Sequence, residues 1–227
     1  MKFKHYILLV AFTIGFVTTT YSQHTTFAIK NGFGVMGGIS QYNIITDNFT
    51  TKSRLGWVGG LSSTVDIPNE WYNVSYGMQI SENSLEISGR ALESVAGNEM
   101  LVYKLMAVQL GFTYHAKIIS DNVTIDFGPQ LQYNGKLELK DNAQEGYFIN
   151  GYESLTALDI SDISQFNVNG MAGVSVGLGA FKIKAQYIYG FLNILDKLND
   201  KNLIVGSATE KFKGNQSMLV FAAMFSF

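Results

Sequence analysis

The chain has 227 residues, of which 16 are basic, 18 are acidic and none is cysteine. The lack of cysteine excludes a disulfide scaffold, a thiolate metal site and a cysteine nucleophile. The slight acidic excess gives no support to nucleic-acid binding. Only 15% of the residues are charged, well below the roughly 25% of an ordinary soluble domain.

The N-terminus has the three-part layout of a secretory signal peptide. Lys2 and Lys4 precede an apolar stretch over residues 6–17, and small or polar residues follow up to Ser22. This stretch is shorter than the roughly 20 residues of a membrane-spanning helix. We predict a signal peptide over residues 1–22 and a mature domain over residues 23–227. Loss of the two lysines would leave 14 basic against 18 acidic residues, a net charge of −4.

Residues 31–38 read NGFGVMGG, with Gly32, Gly34 and Gly37 in the G-x-G-x-x-G spacing of dinucleotide-binding loops. That motif is informative only where it follows a strand, opens a helix and precedes an acidic residue by about 20 positions. The residues after Gly38 show no helical period. We therefore predict no nucleotide site and no cofactor, and we assign these glycines to a strand with a crowded inner face.

The dominant pattern is an alternation of apolar and polar residues with a period of two. In the longest example, residues 123–140, Val123, Ile125 and Phe127 fall on one parity while Thr124 and Asp126 fall on the other. Seven more such segments begin near Phe33, Leu55, Tyr72, Met106, Phe166, Phe181 and Leu219. This pattern predicts an all-β fold, an eight-stranded antiparallel transmembrane β-barrel.

The connections between these segments alternate in length. Short ones lie near residues 67–70, 118–122 and 179–180, and long ones lie over residues 43–54, 82–102, 141–165 and 193–214. Short periplasmic turns and long extracellular loops are typical of outer-membrane barrels. A competing interpretation makes residues 95–110, VAGNEMLVYKLMAVQL, an amphipathic helix.

The apolar faces are expected to point outward to lipid. If they pointed inward, the exterior would carry glycine, serine, asparagine and glutamine with few charges, which is a poor soluble surface. Aromatic residues fall near both ends of the strands, as in interfacial girdles. They are Tyr72, Tyr114, Phe181 and Phe227 toward the short turns, and Trp57, Tyr133, Phe166 and Tyr189 toward the loops.

Four segments resemble the PorT-like outer-membrane β-barrel family of Gram-negative bacteria. They are GFGVMGGIS, FGPQLQYNG, AQYIYGFLNI and the terminal MFSF, whereas MAVQLGFTYHAKI lacks a proline that is frequent in the family. The resemblance implies location in the outer membrane and insertion by the barrel-assembly machinery, with Phe227 as the assembly signal. It also implies that a role in protein secretion applies to some members only.

Parity places a set of polar and charged side chains inside the barrel. We expect them to form a lumen polar network of paired groups that fills a narrow interior. Its members are Asp66, His115, Lys117, Asp126, Lys136, Glu138, Lys182 and Lys184.

No catalytic residue and no metal site are predicted. His5 lies in the leader and His24 lies beside the cleavage site, so that His115 is the histidine of the barrel. Its side chain is expected to point inward, whereas a lipid-cleaving triad should face the bilayer. There is no G-x-S-x-G motif and no H-x-x-x-H pair.

The expected function is that of a non-enzymatic outer-membrane barrel that anchors surface loops. Expected partners are outer-membrane lipid, the assembly machinery and an unknown surface or envelope protein. Two alternatives stay open, a narrow or gated pore and a soluble exported barrel of lipocalin type. The third long loop is unusually apolar and is expected to pack on the barrel mouth or on a partner. Its apolar residues are Tyr147, Phe148, Tyr152, Leu155 and Leu158.

Overall fold

A computed structural model describes residues 32–67, 69–93, 97, 99–201, 203 and 211–227. The predicted signal peptide, residues 1–22, and the start of the mature domain lie outside this part of the chain. Among the described residues, no helix is both long and apolar enough to cross a bilayer.

The described residues form nine antiparallel strands, eight of which close into a ring. Each strand of the ring pairs with its neighbours in sequence, β9 pairs with β1, and β2 pairs with β3. The two-residue β6 adds to the far end of β3. The strands are β1 (Gly34–Ile45), β2 (Thr51–Asp66), β3 (Tyr72–Arg90), β4 (Glu99–Ile119), β5 (Val123–Leu139), β6 (Phe148–Ile149), β7 (Phe166–Leu178), β8 (Phe181–Gly190) and β9 (Asn215–Ser226). The predicted eight-stranded antiparallel barrel is thus confirmed.

The outer surface of the ring carries an apolar band. Met78, Leu110 and Leu131 lie side by side on β3, β4 and β5, and all three are exposed. Similar exposed apolar side chains occur on every strand of the ring. So large an apolar surface faces lipid rather than water. The barrel therefore spans a membrane.

The two ends of the barrel differ, but the predicted long loop over residues 43–54 is reduced to residues 46–50, because β1 and β2 extend into it. Strands β2 and β3, β4 and β5, and β7 and β8 are joined by short turns over residues 67–71, 120–122 and 179–180. The opposite end carries connections over residues 46–50, 91–98, 140–165 and 191–214, which include the short helix α1 (Asp196–Asn199). In outer-membrane barrels the short turns are periplasmic and the long loops are extracellular.

The strands β3 and β4 are longer than predicted. β3 continues to Arg90 and β4 starts at Glu99, so most of the predicted loop over residues 82–102 is strand. The helical interpretation of residues 95–110 is therefore wrong. The alternation continues through this segment, but its apolar residues have moved from the outer to the inner face.

This change of face divides the barrel interior into two zones. On β3, Ser75 and Ser81 point inward at the level of the membrane, and Leu85 and Ile87 point inward beyond it. The upper zone is an apolar plug to which the barrel strands and the extracellular loops both contribute. Its fully buried members include Tyr42, Ile44, Leu85, Ile87, Leu101, Tyr103, Leu105, Leu137, Ile149, Leu155, Ile160, Ile163, Ile194, Leu195 and Leu198.

The glycines of NGFGVMGG serve strand packing. Gly34 and Gly38 lie on the inner face of β1, and the residues that follow are strand rather than helix. A Cβ atom on Gly38 would lie 2.2 Å from the carbonyl oxygen of Phe221 on β9. The close approach of these two strands therefore requires glycine.

Candidate functional site

The lower part of the lumen polar network lies at the periplasmic mouth. The Lys117 Nζ atom lies 3.1 Å from Asp66 Oδ1 and 3.4 Å from Asp121 Oδ1. Lys182 is half-buried and lines a mouth cavity of about 250 Å³ together with Asp66 and Asp121. Charges of both signs therefore surround this entrance.

A serine, histidine and aspartate relay lies above the mouth. His115 Nδ1 donates to Asp126 Oδ1 at 2.7 Å, and His115 Nε2 is hydrogen-bonded to the Ser75 hydroxyl at 2.7 Å. Asp126 is fully buried and also accepts from the hydroxyls of Thr124, at 2.6 Å, and Ser175. The carboxylate holds the ring proton on Nδ1, which fixes the orientation of the imidazole.

Lys184 lies next to this relay on the inner wall of the barrel. It is buried on the inner face of β8, directly beside Ser175 on β7. Its side chain lies within electrostatic range of Asp126. Of the eight lumen residues predicted, Asp66, His115, Lys117, Asp126, Lys182 and Lys184 thus lie on the inner face.

Lys136 and Glu138 do not belong to the lumen, and their assignment is corrected. Both are exposed, because β5 carries a bulge in which Gly135 and Lys136 face the single residue Met106 of β4. The extra residue reverses the parity of the strand beyond it. Leu137 therefore points inward in place of its charged neighbours.

A cluster of amides fills the middle of the lumen. Gln132 Oε1 accepts hydrogen bonds from Gln109 at 2.7 Å, from Asn169 at 2.7 Å and from Gln216 at 2.8 Å. Gln132 Nε2 donates to Asn134 at 2.5 Å. Sequence parity places these residues inside, but they come from four strands and their mutual contacts depend on the register between strands, which the sequence does not display.

A cavity of about 30 Å³ lies between the relay and the amide cluster. It is lined by Ser75 and Lys184 and by four glutamines, Gln79, Gln109, Gln130 and Gln186. The side-chain oxygens of these four glutamines are buried and accept no hydrogen bond. The volume has room for about two water molecules, which would satisfy such acceptors.

The size of this cavity limits the chemistry of the relay. Ser75, His115 and Asp126 have the hydrogen-bond order of an activated nucleophile. A cavity that holds about two waters does not admit an acyl or peptidyl substrate beside Ser75. Within the described part of the chain, no cluster of three or more histidine, aspartate or glutamate side chains could hold a metal ion.

A second candidate site is the extracellular cap, formed by the described loop residues 46–50, 140–165, 191–201, 203 and 211–214. Three of its aromatic residues meet above the apolar plug. The Phe49 ring lies 6.2 Å from that of Tyr152 and 5.9 Å from that of Phe212, and Tyr152 and Phe212 lie 5.8 Å apart. Each comes from a different loop, so the loops pack together as one unit.

Arg90 fixes the loop between β5 and β7 onto the end of β3. Its guanidinium donates to the carbonyls of Ile149 at 3.0 Å, Tyr152 at 2.6 Å and Glu153 at 3.1 Å. It also lies 5.6 Å from the centre of the Phe148 ring. The expectation that this loop packs on the barrel mouth is confirmed for Tyr152 and Leu155, which are buried, whereas Leu158 is exposed.

An ion-pair cluster joins this loop to the loop before β9. Lys197 Nζ lies 2.7 Å from Asp162 Oδ1, and Lys201 Nζ lies 3.5 Å from Asp162 Oδ2. The hydrogen bond from Lys197 holds the pKa of Asp162 below its usual value. The positive charge of Lys136 also lowers the pKa of Asp162. This outward-pointing lysine therefore interacts electrostatically with the cap.

Phe227 lies at the seam where the barrel closes. Its backbone N–H donates to the Phe33 carbonyl at 2.9 Å, and the two rings contact edge to face at 5.5 Å. The side chain is exposed at the periplasmic end of the apolar band.

Several solved structures are similar to this chain. Neisserial surface protein A has 13% identity, with 86% of this chain and 97% of that chain covered, at a TM-score of 0.48. Ail, the attachment invasion locus protein of Yersinia pestis, has 10% identity, with 86% of this chain and 99% of that chain covered, at a TM-score of 0.48. The translocator domain of the autotransporter NalP from Neisseria meningitidis has 10% identity, with coverages of 98% and 96%, at 0.30.

No family model matches the chain, and no curated protein matches it. The PorT-like family is therefore not confirmed. The closed antiparallel ring with its apolar outer band supports the coarser assignment to outer-membrane β-barrels.

Proposed function

We propose that this protein is a non-enzymatic outer-membrane barrel whose extracellular cap presents a fixed surface to a protein partner of the cell surface or envelope. The observation that carries the proposal is the packing of three loops on an apolar plug. Loops that only connect strands have no need of a shared core. A fixed cap lowers the entropy cost of binding a partner, because its contact residues are already ordered.

The filled interior supports this proposal over a pore. The amide cluster around Gln132 crosses the lumen, and the apolar plug closes the extracellular end. An ion would have to displace both layers. We expect the purified protein to give no discrete conductance steps in planar bilayers, and regular steps would favour the pore.

The absence of enzymatic activity is part of the same proposal. Ser75 is the residue to test, since its hydroxyl contacts His115. We expect no covalent labelling of Ser75 by a fluorophosphonate probe, because the adjoining cavity is too small for the probe. Labelling that is lost in Ser75→Ala and in His115→Gln would contradict this.

The exposed Leu158 gives a direct test of partner contact. It lies on the outer surface of the cap, next to residues that the plug buries. A photo-crosslinking residue at position 158 in intact cells should yield one discrete adduct, and the same residue at the lipid-facing position 183 should not. Equal adducts at both positions, or none at position 158, would count against the proposal. Protease shaving of the same cells, with cuts confined to the long loops, checks the orientation.

A secretion-related role, which the PorT-like resemblance implies, would be one form of this partner contact. It predicts that the adduct at position 158 contains a component of an envelope secretion complex. The barrel-assembly machinery is a separate proposed partner and would act through the terminal strand that ends at Phe227.

A further inference from the structure

The lipid-facing side of the barrel carries a groove of about 640 Å³, which we call the oblique groove. Its upper edge is a row of apolar side chains on neighbouring strands. The row consists of Leu61, Met78, Leu110 and Leu131. The lower edge includes Ser63, Tyr76 and Phe112.

The floor of the groove follows one row of paired residues, which lines the groove from Ser62 on β2 to Gln130 on β5 and extends to Gly34 on β1. Gly34 pairs with Ser62, Ser62 with Gly77, Gly77 with Gly111, and Gly111 with Gln130. Gly34 is the first residue of β1, whereas Gln130 lies near the middle of β5. The groove therefore climbs from the periplasmic end of the barrel to the middle of the membrane.

Two glycines make the wall thin at this place. Gly77 and Gly111 line the groove and also the inner cavity of about 30 Å³. A single layer of backbone separates the two spaces there. A Cβ atom at Gly77 would lie 2.6 Å from the Leu61 carbonyl oxygen, so a larger residue would push the strands apart.

We propose that the oblique groove is a binding site for one acyl chain of a phospholipid of the periplasmic leaflet. The groove lies inside the apolar band, so that lipid hydrocarbon adjoins it above its lower end. Its lower end lies at the depth of the periplasmic interface, where Ser63 and Tyr76 offer hydroxyl groups to the ester region of a lipid. Its upper end is aliphatic and suits the end of the chain.

The proposal is tested by filling the groove without changing the lumen. Ser63 is the smallest side chain of the edges named above and points away from the barrel interior. Ser63→Phe adds a ring to the groove, and Ala172→Phe, on the outer face of β7, adds the same ring elsewhere on the apolar band. Heat-dependent mobility on a detergent gel verifies that both variants fold.

The measurement is native mass spectrometry of the mature protein in detergent, titrated with dioleoyl phosphatidylethanolamine. The wild type and Ala172→Phe should bind a first lipid with equal affinity. Ser63→Phe should bind it about tenfold more weakly, the effect of losing about two methylene contacts. Equal affinity in all three proteins would overturn the proposal. A dimer without bound lipid would also overturn it, since a second copy would then cover the groove.

Fluorescence quenching locates the bound chain. The background variant carries Trp57→Phe and Trp71→Phe, and the reporter is either Leu110→Trp in the groove or Leu219→Trp on β9 outside it. With brominated lipid added in detergent, quenching of the Leu110→Trp reporter should saturate at about one lipid per protein. The Leu219→Trp reporter should be quenched little. Equal quenching of both reporters would show that the lipid has no preference for the groove.

Discussion

Replacement of Arg90 by methionine should release the loop between β5 and β7 while the barrel stays folded. Arg90 donates to the carbonyls of Ile149, Tyr152 and Glu153, and it also donates to the carbonyl of Glu93 at 3.2 Å. A hydrogen bond from a charged group contributes about 1.5 to 3 kcal/mol net. Water replaces part of these contacts when the loop opens, so we expect a loss of about 3 kcal/mol in the free energy of local opening.

A loss of this size corresponds to an opening constant about 100-fold larger. Two backbone amides report it by hydrogen exchange. The amide of Asn150 donates to Ser88 of β3 at 3.1 Å, and that of Ala157 donates to Tyr147 within the loop at 2.7 Å. Amides of the membrane-level strands should keep their exchange rates, because none of them depends on the loop.

Arg54→Met is the matched control. Arg54 also lies at the extracellular end, but its partner is the side chain of Glu86 and the pair is partly exposed. An exposed ion pair contributes less than about 1 kcal/mol. Unchanged exchange at Asn150 and Ala157 in Arg90→Met, or an equal acceleration in Arg54→Met, would refute the assignment of Arg90 as the anchor of the cap.

Three further predictions concern the lumen, the plug and the ion-pair cluster. Asp126→Asn should lower the free energy of unfolding of the barrel by about 3 kcal/mol, measured in urea from lipid vesicles, because His115 and Lys184 lose their buried carboxylate. The control Asp121→Asn, at the half-exposed mouth position, should change this free energy by less than about 1 kcal/mol. Leu155→Ala should loosen the cap by about 2 to 4 kcal/mol, measured by exchange of the Ile149 amide, whereas Leu158→Ala at its exposed position should have little effect. The pKa of Asp162 is lowered by its hydrogen bond from Lys197, so this ion pair stabilises the cap above the usual carboxyl range and the stability is lost as pH falls through the lowered pKa. Exchange of the Ser164 amide, corrected for intrinsic rate, should therefore accelerate as pH falls below about 5, and in Asp162→Asn this acceleration should disappear.

The sequence predicted the barrel because alternation with a period of two reports the two faces of a strand directly. Residues 123–134 show why: each apolar residue points to lipid and each polar residue points to the lumen. The turn at Gly179 and Ala180 was likewise visible as a break between two alternating runs. These features depend on neighbours along the chain and not on contacts between distant strands.

The features that the sequence did not predict depend on contacts between strands or on where the membrane surface crosses each strand. The bulge at Gly135 is defined by its pairing with Met106, which sequence does not display, and so Lys136 and Glu138 were placed inside. The upper part of β3 alternates as regularly as the lower part, but Leu85 and Ile87 carry the apolar side inward. Without the membrane surface as a reference, that change of phase resembled the end of a strand.

The change of phase also indicates where the membrane ends and where function is to be sought. Up to Ile80, β3 obeys the rule of a membrane barrel, with apolar residues outside and polar residues inside. From Glu82 onward it obeys the rule of a water-soluble protein, with charges outside and Leu85 and Ile87 in a core. The same strands thus build a membrane anchor and, above it, a small soluble domain whose core is the plug. A barrel that served only as an anchor would need no such core, since short polar loops would close it equally well. This additional ordered structure is the feature on which our proposal of a partner-binding surface rests.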